Sequence, residues 1–172
     1  SQHDAILCGI GTVIHDDPAL TTRLGGLEHK AVRIIVDKSL KTPIGSKMVQ
    51  TARDEPLWIF YEACEPGHDT ALEKEGARVF KMNSMDLGAI LEMLSKEGIR
   101  RLLVEGGSKT HSKFLNENFY DEVAVFKAPK IIGKGKDTFG AYTCQTLDDA
   151  LNLTLHKSEQ LGCDRLDIYR KI

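Results

Sequence analysis

Short apolar runs of strand length alternate along this chain with segments of helical period. Ala5–Ile10, Ala31–Val36, Leu57–Tyr61, Arg78–Lys81 and Leu102–Val104 each read as a strand, and most are too apolar to have a wet face. A sixth run, Val123–Phe126, has apolar residues continuing to Ile132. Between the runs, Leu87, Ile90, Leu91 and Leu94 follow the i, i+3, i+4, i+7 spacing of an amphipathic helix. Asp86 stands at its N-cap position and Gly98 just past its end. His111, Phe114, Leu115 and Phe119 mark a second helix, and Asp69–Glu75 a shorter third. Residues 62–70 and 133–141 read as loops.

The last twenty residues change period. Leu153–Lys157 and Arg165–Tyr169 alternate every second residue around a turn-prone Gly162-Cys163-Asp164. This predicts an antiparallel hairpin added to the edge of the sheet. The order of elements predicts an α/β domain over residues 1–172: a mostly parallel sheet with helices on both faces and a C-terminal antiparallel hairpin.

Composition narrows the function classes. Twenty-three basic residues face twenty-five acidic ones in 172, and they are scattered. That balance argues against nucleic acid or an anionic membrane as the main partner. The four cysteines form no C-x-x-C pair, and no histidine stands beside one at metal-ligand spacing, so no metal site is expected. So few cysteines in a chain this long point to a reducing, cytoplasmic setting. No apolar run reaches membrane-spanning length. His3, His29, His68 and His156 stand apart and read as surface residues, His15 as a helix-face residue, and Trp58 as core.

In an open α/β sheet, ligands bind beyond the C-terminal strand ends. Two such ends are unusual. The first reads Gly9-Ile-Gly-Thr12-Val-Ile-His-Asp16-Asp17-Pro18-Ala-Leu20-Thr-Thr-Arg23. Position 14 is Ile, so this is not a dinucleotide fingerprint of the Rossmann type. It is equally a strand-to-helix turn capped by Thr12. Arg23 is spaced to pair an aspartate or to grip a phosphate with its fork. The second end reads Val104-Glu105-Gly106-Gly107-Ser108-Lys109-Thr110-His111-Ser112-Lys113. Here a glycine turn opens a helix, whose unpaired N–H groups suit a phosphate, and Lys109 and Lys113 add positive charge. Glu105 would repel an anion, so it is expected to face a different group, or to act as a general acid or base. A structural ion pair is the plain alternative.

Together these segments resemble the reductases of riboflavin biosynthesis, which also form one domain of the bifunctional deaminase–reductases. The first segment is similar to their Gly-x-Gly-Thr-x-x-x-Asp-[Asp/Asn]-Pro-x-Leu-Thr-x-Arg signature. Arg33-Ile-Ile-Val-Asp37, Leu40-Lys-Thr-Pro43, Leu103-Val-Glu-Gly-Gly107 and Ala128-Pro-Lys-Ile-Ile-Gly133 resemble further segments in the same order. The resemblance implies a dihydrofolate-reductase-like α/β fold. It also implies NADPH-dependent reduction of the ribosyl group of 5-amino-6-(5-phosphoribosylamino)uracil to a ribityl chain, and a homodimer. Carried over position by position, it implies that Thr12 and Asp16 contact NADPH and that Leu20 and Arg23 contact the substrate, Arg23 at its phosphate. Glu105 then faces the reacting end of the substrate as the catalytic residue. Gly107, Ser108, Lys109, Thr110, His111, Ser112 and Lys113 hold cofactor phosphate.

Three departures accompany the likeness. The family's first strand has no counterpart in this sequence, which begins at Ser1. Lys38 replaces the usual Ser near the cofactor, where it suits the 2′-phosphate of NADPH or points to solvent. No zinc-deaminase signature is present, so a fused or separate deaminase would supply the preceding step. The alternatives are a related reductase acting on the diaminopyrimidinone intermediate before deamination, and a non-catalytic NADPH-binding module.

Overall fold

β-branched and aromatic residues concentrate in the runs that form strands, and buried residues on both sides of them make the sheet the centre of the core. The computed structural model describes residues 3–21, 30–135 and 137–172. They divide into two compact units, Ser1–His111 and Ser112–Ile172.

The first unit holds five parallel strands: β1 (Ala5–Gly9), β2 (Val32–Val36), β3 (Leu57–Tyr61), β4 (Arg78–Lys81) and β5 (Leu102–Val104). Their spatial order is β4-β3-β2-β1-β5. The chain steps outward from β1 to β4, then crosses back to place β5 on the other side of β1. The register sets which residues share a face: Cys8 pairs with Ile35, and Ile35 with Ile59. With Leu57, Tyr61 and Val79 these line one face, packed against Val13 of α1 (Ile10–Asp16), Met48 and Val49 of α2 (Lys47–Gln50) and Leu72 of α3 (His68–Lys74). Leu7, Ile34 and Phe60 point to the other face and are also fully buried. Right-handed connection puts α4 (Leu87–Lys96) on that second face, because the path across the sheet reverses between β4 and β5. Its buried Leu87, Ile90 and Leu94 are the predicted stripe. Asp86 occupies the N-cap position, and Gly98 takes the left-handed φ of 88° that ends the helix. Helix α5 (Ser108–Asn116) begins in this unit and continues into the next.

In the second unit, β6 (Glu122–Lys127), β7 (Leu153–Leu161) and β8 (Asp164–Lys171) form an antiparallel sheet in the order β6-β8-β7. The predicted hairpin is therefore present, with Gly162 turning at φ 62°. It does not extend the parallel sheet, however: β8 takes β6 as its second neighbour, from Glu122↔Arg170 to Lys127↔Arg165. An alternating pattern reports that a strand has two faces; it carries no information on which strand it meets. Strand β6 also stops at Lys127 and does not reach Ile132, because Pro129 has no N–H for a ladder.

Helix α1 is the helix that the strand-to-helix reading of the first segment expected, whereas α2 exceeds the sequence reading. Helix α1 has one buried residue and α2 a single turn, so neither shows a period. His68, expected at the surface, is half-buried at the start of α3, and its Nε2 donates to the Thr42 carbonyl at 2.9 Å. Trp58 is half-buried, with the Arg78 guanidinium 5.3 Å from its ring centre. All four cysteines are free. No helix among the described residues is long and apolar enough to cross a membrane.

Candidate active site

The strand order reverses at β1, which sets the loops that follow β1 and β5 side by side at the C-terminal strand ends, the usual ligand position in open α/β sheets. Both unusual sequence segments begin there. The Glu105 N–H donates to the Leu7 carbonyl at 2.9 Å, so the turn after β5 stays attached to β1. Gly106 is buried beside Cys8: a Cβ built on it would lie 2.5 Å from the Cys8 Cβ and 2.8 Å from the Cys8 Cα. A Cβ on Gly107, which sits at φ 71°, would lie 3.3 Å from Thr12 Oγ1. One on Gly9 would lie 2.6 Å from Thr110 Oγ1. The two turns thus meet, and they meet closely because three of their residues have no side chain.

Each expected site residue can now be placed. Thr12 is not a helix cap. Gly9 takes that position, in extended conformation, and Thr12 lies in the first turn of α1 with its hydroxyl toward Gly106 and Gly107. Asp16 is exposed one turn later on the same stripe of α1. His15 is a helix-face residue whose Nδ1 donates to the Gly11 carbonyl at 2.7 Å. Asp17 ends α1 at φ 39°; its carboxylate accepts the Lys47 N–H at 2.9 Å. Leu20, at φ 49°, is half-buried against the core. Arg23 lies outside the described residues.

Glu105 is exposed just past the C-terminal end of β5. Its charge reaches Cys8: burial first, and the Glu105 carboxylate second, push that thiol up to about 12. Thr110 faces Gly9, and His111 Nε2 lies 3.3 Å from the Val104 carbonyl. Ser108 and Lys109 open α5. Ser112 is buried and its hydroxyl accepts the Ala141 N–H at 3.2 Å, while Lys113 stands 3.8 Å from Glu117. Lys38 is exposed just beyond β2, 3.5 Å from Glu62. Asp37, by contrast, is buried and accepts the Thr42 N–H and hydroxyl at 2.7 and 2.8 Å, which folds back the loop after β2.

A family model described as the RibD C-terminal domain matches residues 1–166. The chain belongs to the RibD C-terminal domain family. It is 35% identical over 167 residues to the riboflavin biosynthesis protein RibD of Aquifex aeolicus, covering 97% of this chain and 46% of that protein. It is 34% identical to the 2,5-diamino-6-ribosylamino-4(3H)-pyrimidinone 5′-phosphate reductase of Methanothermobacter thermautotrophicus, covering 96% of this chain and 79% of that one. A solved structure of a diaminohydroxyphosphoribosylaminopyrimidine deaminase/5-amino-6-(5-phosphoribosylamino)uracil reductase from Thermotoga maritima superposes with a TM-score of 0.80 at 29% identity. It covers 99% of this chain and 46% of that chain. The chain thus spans about half the length of the RibD relatives it matches, and 79% of the Methanothermobacter reductase.

Within this RibD C-terminal domain the sequence reading passed over Gly9, Gly106 and Cys8. The glycines were visible as turn formers, and Cys8 only as one of four cysteines outside any metal-ligand spacing. That each is the contact surface of another depends on through-space neighbours nearly a hundred residues apart.

Proposed function

We propose that the chain is an NADPH-dependent reductase of a pyrimidine ribosylamino 5′-phosphate, converting the ribosyl group to ribityl in riboflavin biosynthesis. The observation that carries this reading is the close approach of Thr12 to Gly107, two residues from Glu105. A dinucleotide phosphate suits the residues there: the N-terminus of α5, whose helix dipole favours an anion, opening from a glycine turn packed closely against Cys8 and Thr12. Gly107, Ser108, Lys109 and Thr110 would hold the pyrophosphate, Thr12 and Asp16 the neighbouring sugar, and Lys38 the 2′-phosphate. Bound NADPH supplies hydride to C1′ of the substrate.

The protein's own part is orientation and charge. Glu105 at the strand end repels phosphate, so the substrate's amino-linked carbon, not the pyrophosphate, belongs beside it. There its carboxylate favours a protonated C1′–N unit and relays the proton that ring opening moves from nitrogen to the ring oxygen. Leu20 packs against the substrate, and Arg23 takes its 5′-phosphate. The exposed Phe126, Ile131 and Ile132 of the second unit support a homodimer as the working assembly, checked by light scattering. The relatives' names support both the deaminated uracil and the diaminopyrimidinone as substrate.

The deciding experiment is NADPH oxidation with each pyrimidine intermediate in turn. Turnover with either supports the reading, and the faster one identifies the substrate. Tight NADPH binding with no turnover on both would leave a cofactor-binding module instead.

A further inference from the structure

Arg33 lies on the face of β2 that packs against α1–α3, next to Ile35, and is only 1% exposed. A guanidinium keeps its charge there, so the cost of taking it from water is met by hydrogen bonds. Its Nη1 donates to the Ala19 carbonyl at 3.1 Å and to Thr51 Oγ1 at 2.9 Å. Its Nη2 donates to the carbonyls of Met48, at 3.1 Å, and Glu55. Nε has no partner among the described residues. Three of the four acceptors belong to α2 and the turn behind it. The fourth, Ala19, belongs to the loop that leaves α1.

That loop is also held from its other end. The Asp17 carboxylate accepts the N–H of Lys47, the first residue of α2, and lies 3.7 Å from its ammonium. So Asp17 is tied to the start of α2 and Ala19, through Arg33, to its end. Between and beside these ties the backbone is unusual: Asp17 and Leu20 have φ of 39° and 49°. A leucine avoids the left-handed region unless its surroundings impose it. An apolar residue like its neighbours would fill position 33 without a buried charge, so the fork's use lies in what it holds in place.

We infer that Arg33 and Asp17 form a clamp that imposes the backbone conformation of Asp17–Leu20 and thereby sets where Leu20 meets the substrate. Both are positioning residues; neither touches the reacting atoms. The inference rests on the assignment of Leu20 to the substrate under the proposed function.

Two variants test it: Arg33→Lys, which keeps the charge but loses the fork, and Asp17→Ala, at a half-exposed site. Two readouts are taken on the whole chain. Amide hydrogen exchange at residue 17, whose N–H donates to the Val13 carbonyl at 3.1 Å, and at Lys47, whose N–H donates to the Asp17 carboxylate at 2.9 Å, reads the clamp without reference to activity. Exchange there should quicken at least about tenfold in Arg33→Lys, the factor for one lost charge-assisted bond. Steady-state kinetics then read its purpose: KM for the pyrimidine ribosylamino phosphate should rise about tenfold, with kcat and NADPH affinity within about twofold. Asp17→Ala should move both readouts the same way, and it decides the matter if Arg33→Lys fails to fold. Unchanged exchange in Asp17→Ala and in a folded Arg33→Lys overturns the clamp. Quickened exchange with kcat, KM and NADPH affinity all impaired alike overturns its positioning role. If the unaltered chain reduces neither intermediate while exchange quickens in the variants, the clamp stands and the proposed function is what fails.

Discussion

Replacing Gly106 by alanine tests the convergence on which the site depends. The new Cβ would sit 2.5 Å from the Cys8 Cβ and 2.8 Å from the Cys8 Cα, and 3.1 Å from Thr12 Oγ1. Carbon atoms pack at about 3.5–4.0 Å, so roughly 1 Å of separation is missing. Cys8 cannot yield by changing rotamer, because one of the clashing atoms is backbone in a strand paired on both sides. The turn after β5 must move instead, and with it the 2.9 Å bond from the Glu105 N–H to Leu7. Overpacking of this kind costs about 1–3 kcal/mol, and the weakened bond about 1 more. The sum, about 2–4 kcal/mol, lowers Tm by roughly 5–15 °C in a chain of this size. A 1 Å shift at the same place separates Gly107 from Thr12 and should cost about a hundredfold in kcat/KM. Gly11→Ala is the control. Nothing lies within 4 Å of its Cβ, and it stands inside α1, so alanine should stabilise by about 0.5–1 kcal/mol. Thermal unfolding by circular dichroism, with NADPH binding by fluorescence, measures both. A Gly106→Ala protein as stable as the parent and equal in NADPH affinity would refute the packing argument.

Four other outcomes follow from the same geometry. Glu105→Gln should lower kcat far more than NADPH affinity, and equal loss in both would remove Glu105 from the substrate side. Lys38→Ala should narrow the preference for NADPH over NADH, measured as a ratio of kcat/KM values. Cys8 should resist alkylation in the folded chain while the exposed Cys144 and Cys163 react; its raised thiol pKa also means that this site's contribution to stability is lost as pH climbs from about 9 toward 12. Asp167, buried on β8 with Lys127 at 2.7 Å and Ser158 at 2.6 Å, is held down to about 2, chiefly by those hydrogen bonds. Its stabilisation is complete above about pH 4 and disappears as pH falls toward 2, so acid unfolding followed by circular dichroism should be less pH-dependent in Asp167→Asn.

Much of this protein was legible from residue order alone. Five parallel strands, the stripe of α4 and the C-terminal hairpin are written in local period, since burial on one face or two leaves a pattern of 3.6, of 2 or of none. The two glycine turns and Glu105 were legible for a similar reason: glycine and a strand-end carboxylate are informative wherever they stand. What only the folded molecule decided are relations at a distance. Neither the choice of β6 as partner for β8, nor the seat of Gly106 against Cys8, nor the grip of Arg33 on Ala19 leaves a trace in spacing. Each is a contact between segments brought together by the sheet's order, and a one-dimensional pattern records how a residue meets solvent, not which residue it meets.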